Sequence, residues 1–120
     1  MKPPDALAGP FDDISIHSTA RGQLDYEGEM AVVIGQDGKN VSEANALDYI
    51  LGYTAGNAVS ARNFQLTDIS GGQFCYAKSF DTFSPIGLCI VYPSLIPDPQ
   101  KLTYSTKVNG EVRQRAGRMI

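Results

Sequence analysis

An Asn-Gly pair at positions 109 and 110 constrains the fold of this chain more than any other feature. It follows residues 101–108, in which side chains alternate between an apolar or aromatic face and a polar one, and it precedes Glu111–Arg115. Asn-Gly favours the type I′ turn, which joins two antiparallel strands with the correct twist. The sequence therefore predicts a β-hairpin near the C-terminus.

Two further segments have the patterns of strands. Leu24–Ile34 (LDYEGEMAVVI) alternates, and Leu88–Tyr92 (LCIVY) is a continuous apolar run of the kind found in buried strands. Between them, apolar residues at i, i+3 and i+4 spacing predict one main helix over about residues 42–55. We therefore expect a mainly β or α+β fold, in a single domain over residues 1–120.

Composition excludes several classes of protein. The 120 residues include 13 Asp and Glu against 10 Lys and Arg, and 42% are hydrophobic. This chain is too apolar to be disordered, and its net charge of −3 predicts no nucleic-acid partner. No run reaches the ~20 apolar residues that a membrane helix needs, and no secretory signal is visible, so we expect no membrane partner and a cytoplasmic location. Cys75 and Cys89 are predicted to be free and buried.

The alternating segment 24–34 carries three acidic side chains on one predicted face. Asp25, Glu27 and Glu29 lie two residues apart, so carboxylates would crowd together along the strand. A divalent cation such as Mg²⁺, Mn²⁺ or Ca²⁺ relieves that repulsion, because these ions prefer oxygen ligands. The alternative is an ordinary solvated strand face.

Three other polar side chains are candidates for binding an anion. Arg62 and Gln65 can bind a carboxylate together, although a surface ion pair is the alternative. Lys78 stands among aromatic residues and can bind an anionic oxygen if it is partly desolvated; the alternative is a solvent-facing lysine. His17 is the one histidine, and no Ser or Cys motif surrounds it, so a catalytic triad is unsupported.

Four ordered segments together resemble the catalytic domain of the fumarylacetoacetate hydrolase family. They are LDYEGEMAVVIG, ALDYILGYTAGNAVSARNFQ, GGQF…KSFDTFSPIG and IPDPQ…VNGEVRQ, and the resemblance covers nearly the whole chain, from Lys2 to Gln114. It implies a mixed β-sandwich roll that dimerises. It also implies metal-dependent chemistry on 1,3-dicarbonyl or oxo-acid substrates: hydrolysis of a C–C bond, or decarboxylation or tautomerisation of oxaloacetate.

The resemblance also implies roles for individual residues. Glu27 and Glu29 correspond to two metal-binding glutamates, with Mg²⁺, Mn²⁺ or Ca²⁺ as the cation. Arg62 and Gln65 correspond to residues that bind substrate and order the metal site. Lys78 corresponds to a lysine that polarises the substrate oxygens, where positive charge stabilises an enolate.

The sequence departs from the family pattern in three ways. The third metal ligand is an aspartate in the family, and Ala58 stands at its position here. An upstream segment with a His/Glu pair on a mobile lid supplies the base in hydrolytic members, and this chain begins after it. The family continues into further closing strands, whereas this chain ends at Ile120. We therefore expect an incomplete version of the family fold, truncated at both ends.

These departures leave two hypotheses for function. One is a family enzyme that acts on a small oxo acid with weakened metal binding. The alternative is a degenerate, non-catalytic relative or fragment that acts as an oligomer partner. The expected partners are a second copy of the chain or a full-length relative.

Overall fold

The computed structural model describes residues 1–117 and has an α+β fold. Its strands are β1 (Leu7–Ala8), β2 (Leu24–Asp25), β3 (Gly28–Ile34), β4 (Ile50–Asn57), β5 (Ser60–Ala61), β6 (Ser84–Pro85), β7 (Thr103–Val108) and β8 (Glu111–Gly117). The α-helices are α1 (Thr67–Ser70) and α2 (Cys75–Lys78). Short 3₁₀ helices span Pro4–Ala6, Ser18–Gln23, Glu43–Tyr49, Arg62–Gln65, Pro93–Leu95 and Pro99–Lys101. Within this part of the chain, no helix is long and apolar enough to cross a membrane.

The chain divides into two compact units. The first comprises Met1–Glu29 and Gly56–Leu88, and the second comprises Met30–Ala55 and the chain from Cys89 onward. The expectation of one domain over residues 1–120 stays a prediction.

The first unit is organised around a small apolar core. Ala20, Val59, Ala61 and Phe83 are buried at its centre. Ile14, Leu24, Phe64 and Phe80 pack against them. Within this unit β2 pairs antiparallel with β5, and β1 pairs parallel with β6. Since β5 contributes both Ser60 and Ala61 to the buried interior, this core fixes the backbone that carries the candidate site.

The second unit contains the predicted hairpin. β7 and β8 pair antiparallel, with a register irregularity between Thr106 and Lys107. Asn109 and Gly110 have φ angles of 52° and 84°, the positive values that a type I′ turn requires. The hairpin prediction is therefore confirmed, and the return strand continues to Gly117.

The predicted helix over about residues 42–55 is correct in its first half and wrong in its second half. A 3₁₀ helix spans Glu43–Tyr49 and is followed directly by strand β4. Backbone hydrogen bonds join Tyr53 and Val91 in both directions, at 2.9 and 2.8 Å. A Cβ atom at Gly52 would lie 2.5 Å from an Ile90 side-chain carbon and 2.6 Å from the Val91 carbonyl oxygen. This close backbone pairing overrides the helical spacing, and glycine is what permits it.

The predicted continuous strand Leu24–Ile34 is interrupted at Tyr26 and Glu27. The Tyr26 amide donates to the Asp25 carboxylate at 2.9 Å, so a local side-chain bond replaces a strand bond. β2 then pairs with β5, whereas β3 pairs with β4. The interruption leaves Glu27 between two strands that have different partners.

Two predictions of burial are also wrong. Residues 88–92 form no strand; Val91 alone makes an isolated bridge, and Leu88 and Tyr92 are 73% and 65% exposed. Cys75 and Cys89 are free, as expected, but both are exposed. Apolar composition predicted burial at these positions, but a continuous apolar run carries no alternation that identifies an inward face.

Candidate functional site

Glu27 is the central residue of the candidate site, and its backbone is held on both sides. Its amide donates to the Asn57 side-chain oxygen at 3.1 Å, and its carbonyl accepts from the Ala58 amide at 2.8 Å. Asn57 ends strand β4, so the end of β4 fixes the gap between β2 and β3. These two hydrogen bonds fix the Glu27 backbone, which carries the carboxylate, although Glu27 belongs to no strand.

One oxygen of the Glu27 carboxylate, Oε1, accepts hydrogen bonds from more than one donor. The Ser60 hydroxyl and the Lys78 ammonium each donate to Oε1 at 2.6 Å, and Lys78 also donates to Ser60 Oγ at 2.9 Å. Ser60 is completely buried, and the Lys78 side chain is only 17% exposed. We refer to Glu27, Ser60 and Lys78 as the Glu27 cluster.

Arg62 lies at the edge of the Glu27 cluster and is shared among three partners. Its Nε donates to Asp25 Oδ2 at 3.0 Å, and its Nη1 donates to Gln65 Oε1 at 2.9 Å. The same Nη1 lies 3.3 Å from Glu27 Oε1. The side chain is 40% exposed, so the guanidinium is ordered by the protein and still accessible to solvent. It can therefore pair with an anionic ligand.

The charges in the cluster favour the ionised form of Glu27. Burial would raise the pKa of the Glu27 carboxyl, but the hydrogen bonds from Lys78 and Ser60 lower it. The positive charges of Lys78 and Arg62 act in the same direction, and the pKa lies below its ordinary value. Glu27 is thus a carboxylate near neutral pH.

Lysine 78 retains hydrogen-bonding capacity in this arrangement. An ammonium has three donor protons, and Glu27 and Ser60 accept two of them among the residues that the structure describes. A ligand oxygen can take the third. The arrangement therefore offers an oriented cation beside a second, more exposed cation, Arg62.

Lys2 is a neighbour of the site that the sequence analysis missed. Its ammonium donates to the carbonyl oxygens of Val59, Lys78 and Phe83 at 2.7, 2.9 and 2.6 Å. Burial, followed by the charge of Lys78, lowers the pKa of Lys2 to about 8, although Glu27 and Glu29 act against that shift. No spacing or motif in the sequence links position 2 to these three segments.

The implied three-carboxylate metal centre does not fit this chain. Among residues 1–117, no three His, Cys, Asp or Glu side chains come together as a metal site. The amide of Ala58 contacts the Glu27 backbone, so the residue at the third ligand position carries only a methyl group there. The oxygen donors that remain are Glu27 and the exposed Glu29. A Mg²⁺ ion held by two protein carboxylates would complete its shell with substrate and water oxygens.

The structure brings together four of the predicted site residues and leaves one at the surface. Glu27, Arg62, Gln65 and Lys78 are joined through hydrogen bonds and ion pairs. Glu29 lies on strand β3 with an exposed side chain, and its charge acts on Lys2. Their roles in binding metal or substrate stay predictions.

Asn57 and Ser60 support the site and were not predicted from the sequence. Both belong to the stretch Asn57-Ala58-Val59-Ser60-Ala61-Arg62, which drew attention for Ala58 and Arg62 alone. The clustering of short polar side chains beside a charged residue was a signal that could have identified them. Ser60 supplies a donor to Glu27, and Asn57 supplies an acceptor to its backbone.

A family model described as fumarylacetoacetate (FAA) hydrolase C-terminal matches residues 1–120. The chain is 42% identical over 94% of its length to the oxaloacetate tautomerase YisK of Bacillus subtilis, and covers 36% of that protein. It is 40% identical over 92% of its length to the mitochondrial oxaloacetate tautomerase fahd2 of Xenopus laevis, and covers 34% of it. The chain thus spans about a third of these relatives.

The fold is also similar to that of a solved structure. The fumarylacetoacetate hydrolase of Exiguobacterium antarcticum aligns with a TM-score of 0.86 and 42% sequence identity. The alignment covers 96% of this chain and 40% of that one. Fold and sequence therefore agree about which proteins this chain resembles.

Proposed function

Because the chain belongs to the fumarylacetoacetate hydrolase family, we propose that it carries part of an active site that tautomerises oxaloacetate or a closely related oxo acid. Two relatives at 42% and 40% identity bear the name oxaloacetate tautomerase, which favours this reaction over C–C hydrolysis or decarboxylation. The observation that carries the proposal is the Lys78 ammonium, which Glu27 and Ser60 orient while one of its donors remains for a ligand.

Tautomerisation needs a stabilised enolate. The bond between C3 and hydrogen breaks, its electron pair forms the C2–C3 double bond, and negative charge moves to the C2 oxygen. A proton then reaches that oxygen to give the enol, and solvent takes up the proton that left C3. Lys78 is placed to donate to the C2 oxygen while the charge develops. A partly buried ammonium stabilises such charge more than one in water does.

Arg62 and Gln65 have a different role in the proposal, which is to bind a substrate carboxylate. The guanidinium and the amide are already hydrogen-bonded to each other at 2.9 Å, so little further ordering is needed when an anion binds. Asp25 fixes the other side of the guanidinium at 3.0 Å. Oxaloacetate carries two carboxylates beside a ketone, which matches a site with two neighbouring cations.

Glu27 and Glu29 are the residues that would hold a divalent cation. When bound, such a cation supplies a Lewis acid that polarises a carbonyl oxygen. With Ala58 at the third position, we expect the substrate's own oxygens to contribute to binding. Ala58→Asp adds a carboxylate beside Glu27 and should tighten Mg²⁺ or Mn²⁺ binding by at least about 10-fold. Calorimetric titration measures this change, with Ala55→Asp as the control; equal affinities would contradict the assignment.

The decisive test of function is turnover of oxaloacetate, followed through the ultraviolet absorbance of its enol. The chain should accelerate keto–enol exchange over buffer with Mg²⁺ present, and Lys78→Met should reduce kcat by about 100-fold, as expected when a donor to a developing oxyanion is lost. Lys39→Met, which removes an exposed lysine, is the matched control. Absence of acceleration, or full activity in Lys78→Met, would contradict the proposal.

Ala58 is the observation that favours the alternative, a non-catalytic relative that assembles with another chain. An intact Glu27 cluster that binds substrate but gives no turnover would support that alternative. The predicted partners, a second copy or a full-length relative, and the cytoplasmic location stay predictions.

A further inference from the structure

The side chain of Lys2 connects three segments that are distant in sequence. Its ammonium donates to the carbonyls of Val59, Lys78 and Phe83 and lies 5.9 Å from the centroid of the Phe83 ring. These three bonds use all the donor protons of an ammonium. Lys2 therefore has no proton left for a substrate, and its contacts are all with main-chain carbonyls or an aromatic ring.

Two of the three carbonyls belong to the backbone that supports the Glu27 cluster. Val59 directly precedes Ser60, whose hydroxyl donates to Glu27 Oε1. Lys78 itself provides the second carbonyl, while its side chain provides the ammonium on Glu27. Phe83, the third, is completely buried in the core of the first unit. The Lys2 ammonium thus connects the backbone before Ser60 and the backbone of Lys78 to the core residue Phe83.

Burying an ammonium at this position is energetically unfavourable if packing is its only purpose. Removing a cation from water is unfavourable, whereas a methionine of similar length would be buried without that penalty. The Lys78 charge adds repulsion, and Glu27 and Glu29 offset part of it. In return, the ammonium holds three carbonyls in place, one of them from Lys78 and one from Val59, the residue before Ser60.

We propose that Lys2 is a positioning residue for the Glu27 cluster, holding the backbone of Val59 and Lys78 so that the Ser60 hydroxyl and the Lys78 ammonium both reach Glu27. Its kinetic consequence rests on the proposed function, because it concerns the efficiency with which Lys78 stabilises the enolate. Its structural consequence does not depend on any activity.

The experiment compares Lys2→Met, Lys2→Arg and the control Lys39→Met, each with any tag placed at the C-terminus so that the N-terminal residues stay native. Lys2→Met should lower kcat for oxaloacetate tautomerisation by about 10- to 100-fold, the effect of small misplacements at active sites, with a smaller change in KM. Lys2→Arg, which keeps a cation with several donors, should recover most of kcat. Lys39→Met should behave as wild type.

A double variant separates positioning from a direct role. If Lys2 acts through Lys78, then Lys2→Met combined with Lys78→Met should be no slower than Lys78→Met alone. Fully additive losses would overturn the proposal.

The pH profile adds a second criterion: activity of the wild type should fall above pH about 8 as Lys2 loses its proton, and Lys2→Arg should retain activity to higher pH. The charged groups that act on Lys2 are Lys78, Glu27 and Glu29, and all are unchanged in Lys2→Arg.

Amide hydrogen exchange provides the readout that needs no turnover. In Lys2→Met, exchange at the amides of Ser60 and Ser79 should be faster, while the β7–β8 hairpin should be unaffected. If the wild type does not turn over oxaloacetate, the proposed function fails and the exchange result alone decides the role of Lys2. Wild-type kcat in Lys2→Met, or unchanged exchange at Ser60 and Ser79, would overturn the proposal.

Discussion

The two compact units of this chain are stabilised in different ways. In the first unit, a buried core with Phe83 at its centre lies under a set of long-range polar contacts, such as those from Lys78 and Ser60 to Glu27. In the second unit, the β7–β8 hairpin depends on backbone pairing and on a turn, and side chains such as Val108 and Val112 remain partly exposed. Side-chain packing therefore matters most where the polar groups of the candidate site converge.

This contrast explains why the candidate site belongs to the first unit. A catalytic or binding group must be held by neighbours that restrict its rotamers. Ser60 is completely buried and the Lys78 side chain is partly buried, because the core fixes the backbone to which both belong. The hairpin in the second unit is paired along its backbone but has little packing of that kind.

The largest expected effect comes from removing the centre of the first core. Phe83→Ala should lower the free energy of unfolding by about 3–5 kcal/mol, because it creates a cavity at a completely buried position. Tyr92→Ala, in the second unit at 65% exposure, should change it by no more than about 0.5 kcal/mol. Urea unfolding measures both, and Phe11→Ala, at 84% exposure, controls for residue type. Equal losses at the two sites would remove the contrast.

A smaller effect is expected from Glu27→Gln. Arg62 and Lys78 would lose the carboxylate that they share, and we expect the free energy of unfolding to fall by about 1–3 kcal/mol at pH 7. Since the folded pKa of Glu27 is lowered, its contribution is full above the unfolded pKa of about 4.3 and disappears as the pH falls through the folded value. The difference between variant and wild type should therefore shrink in acid. Glu43→Gln, at an exposed position, is the control, and a pH-independent difference would contradict the account.

The smallest effect tests the second unit. Gly110 has a φ of +84°, which alanine adopts only with strain, so Gly110→Ala should lower the free energy of unfolding by about 1 kcal/mol. Gly22→Ala is the matched control, because its φ is not positive and no atom lies within 4 Å of the added Cβ. Urea unfolding, monitored at residues of the β7–β8 hairpin, would detect this loss of stability. A loss as large as that of Phe83→Ala would show that the turn contributes as much as the core.

Sequence alone predicted the features that depend on local chemistry or on strong family motifs. Asn109 and Gly110 specified the hairpin because few other residue pairs favour two positive φ angles. Glu27, Arg62 and Lys78 were recognised as candidates from charge and from the resemblance, and the structure brings them together. The family itself is confirmed by the match over residues 1–120.

The features that sequence did not predict depend on contacts between distant segments. Residues 42–55 had the spacing of a helix, but residues 50–57 form strand β4, which pairs with β3 and makes a further bridge from Tyr53 to Val91. Lys2 had no pattern around it, and its hydrogen bonds to the carbonyls of Val59 and Lys78 join segments more than 50 residues apart. Such contacts are decided by the tertiary fold, which single-sequence periodicity does not contain.

We propose that the Glu27 cluster and Arg62 together form a binding site for a small oxo acid. Titration with oxalate, a stable dianion that mimics the enolate oxygens, tests this most directly when it is followed by NMR in the presence of Mg²⁺. The resonances of Ser60, Arg62 and Lys78 should shift together, and Lys78→Met should weaken oxalate binding by at least about 10-fold, as expected for loss of a charge-assisted hydrogen bond. Shifts confined to other parts of the chain, or equal affinity in Lys78→Met, would contradict it.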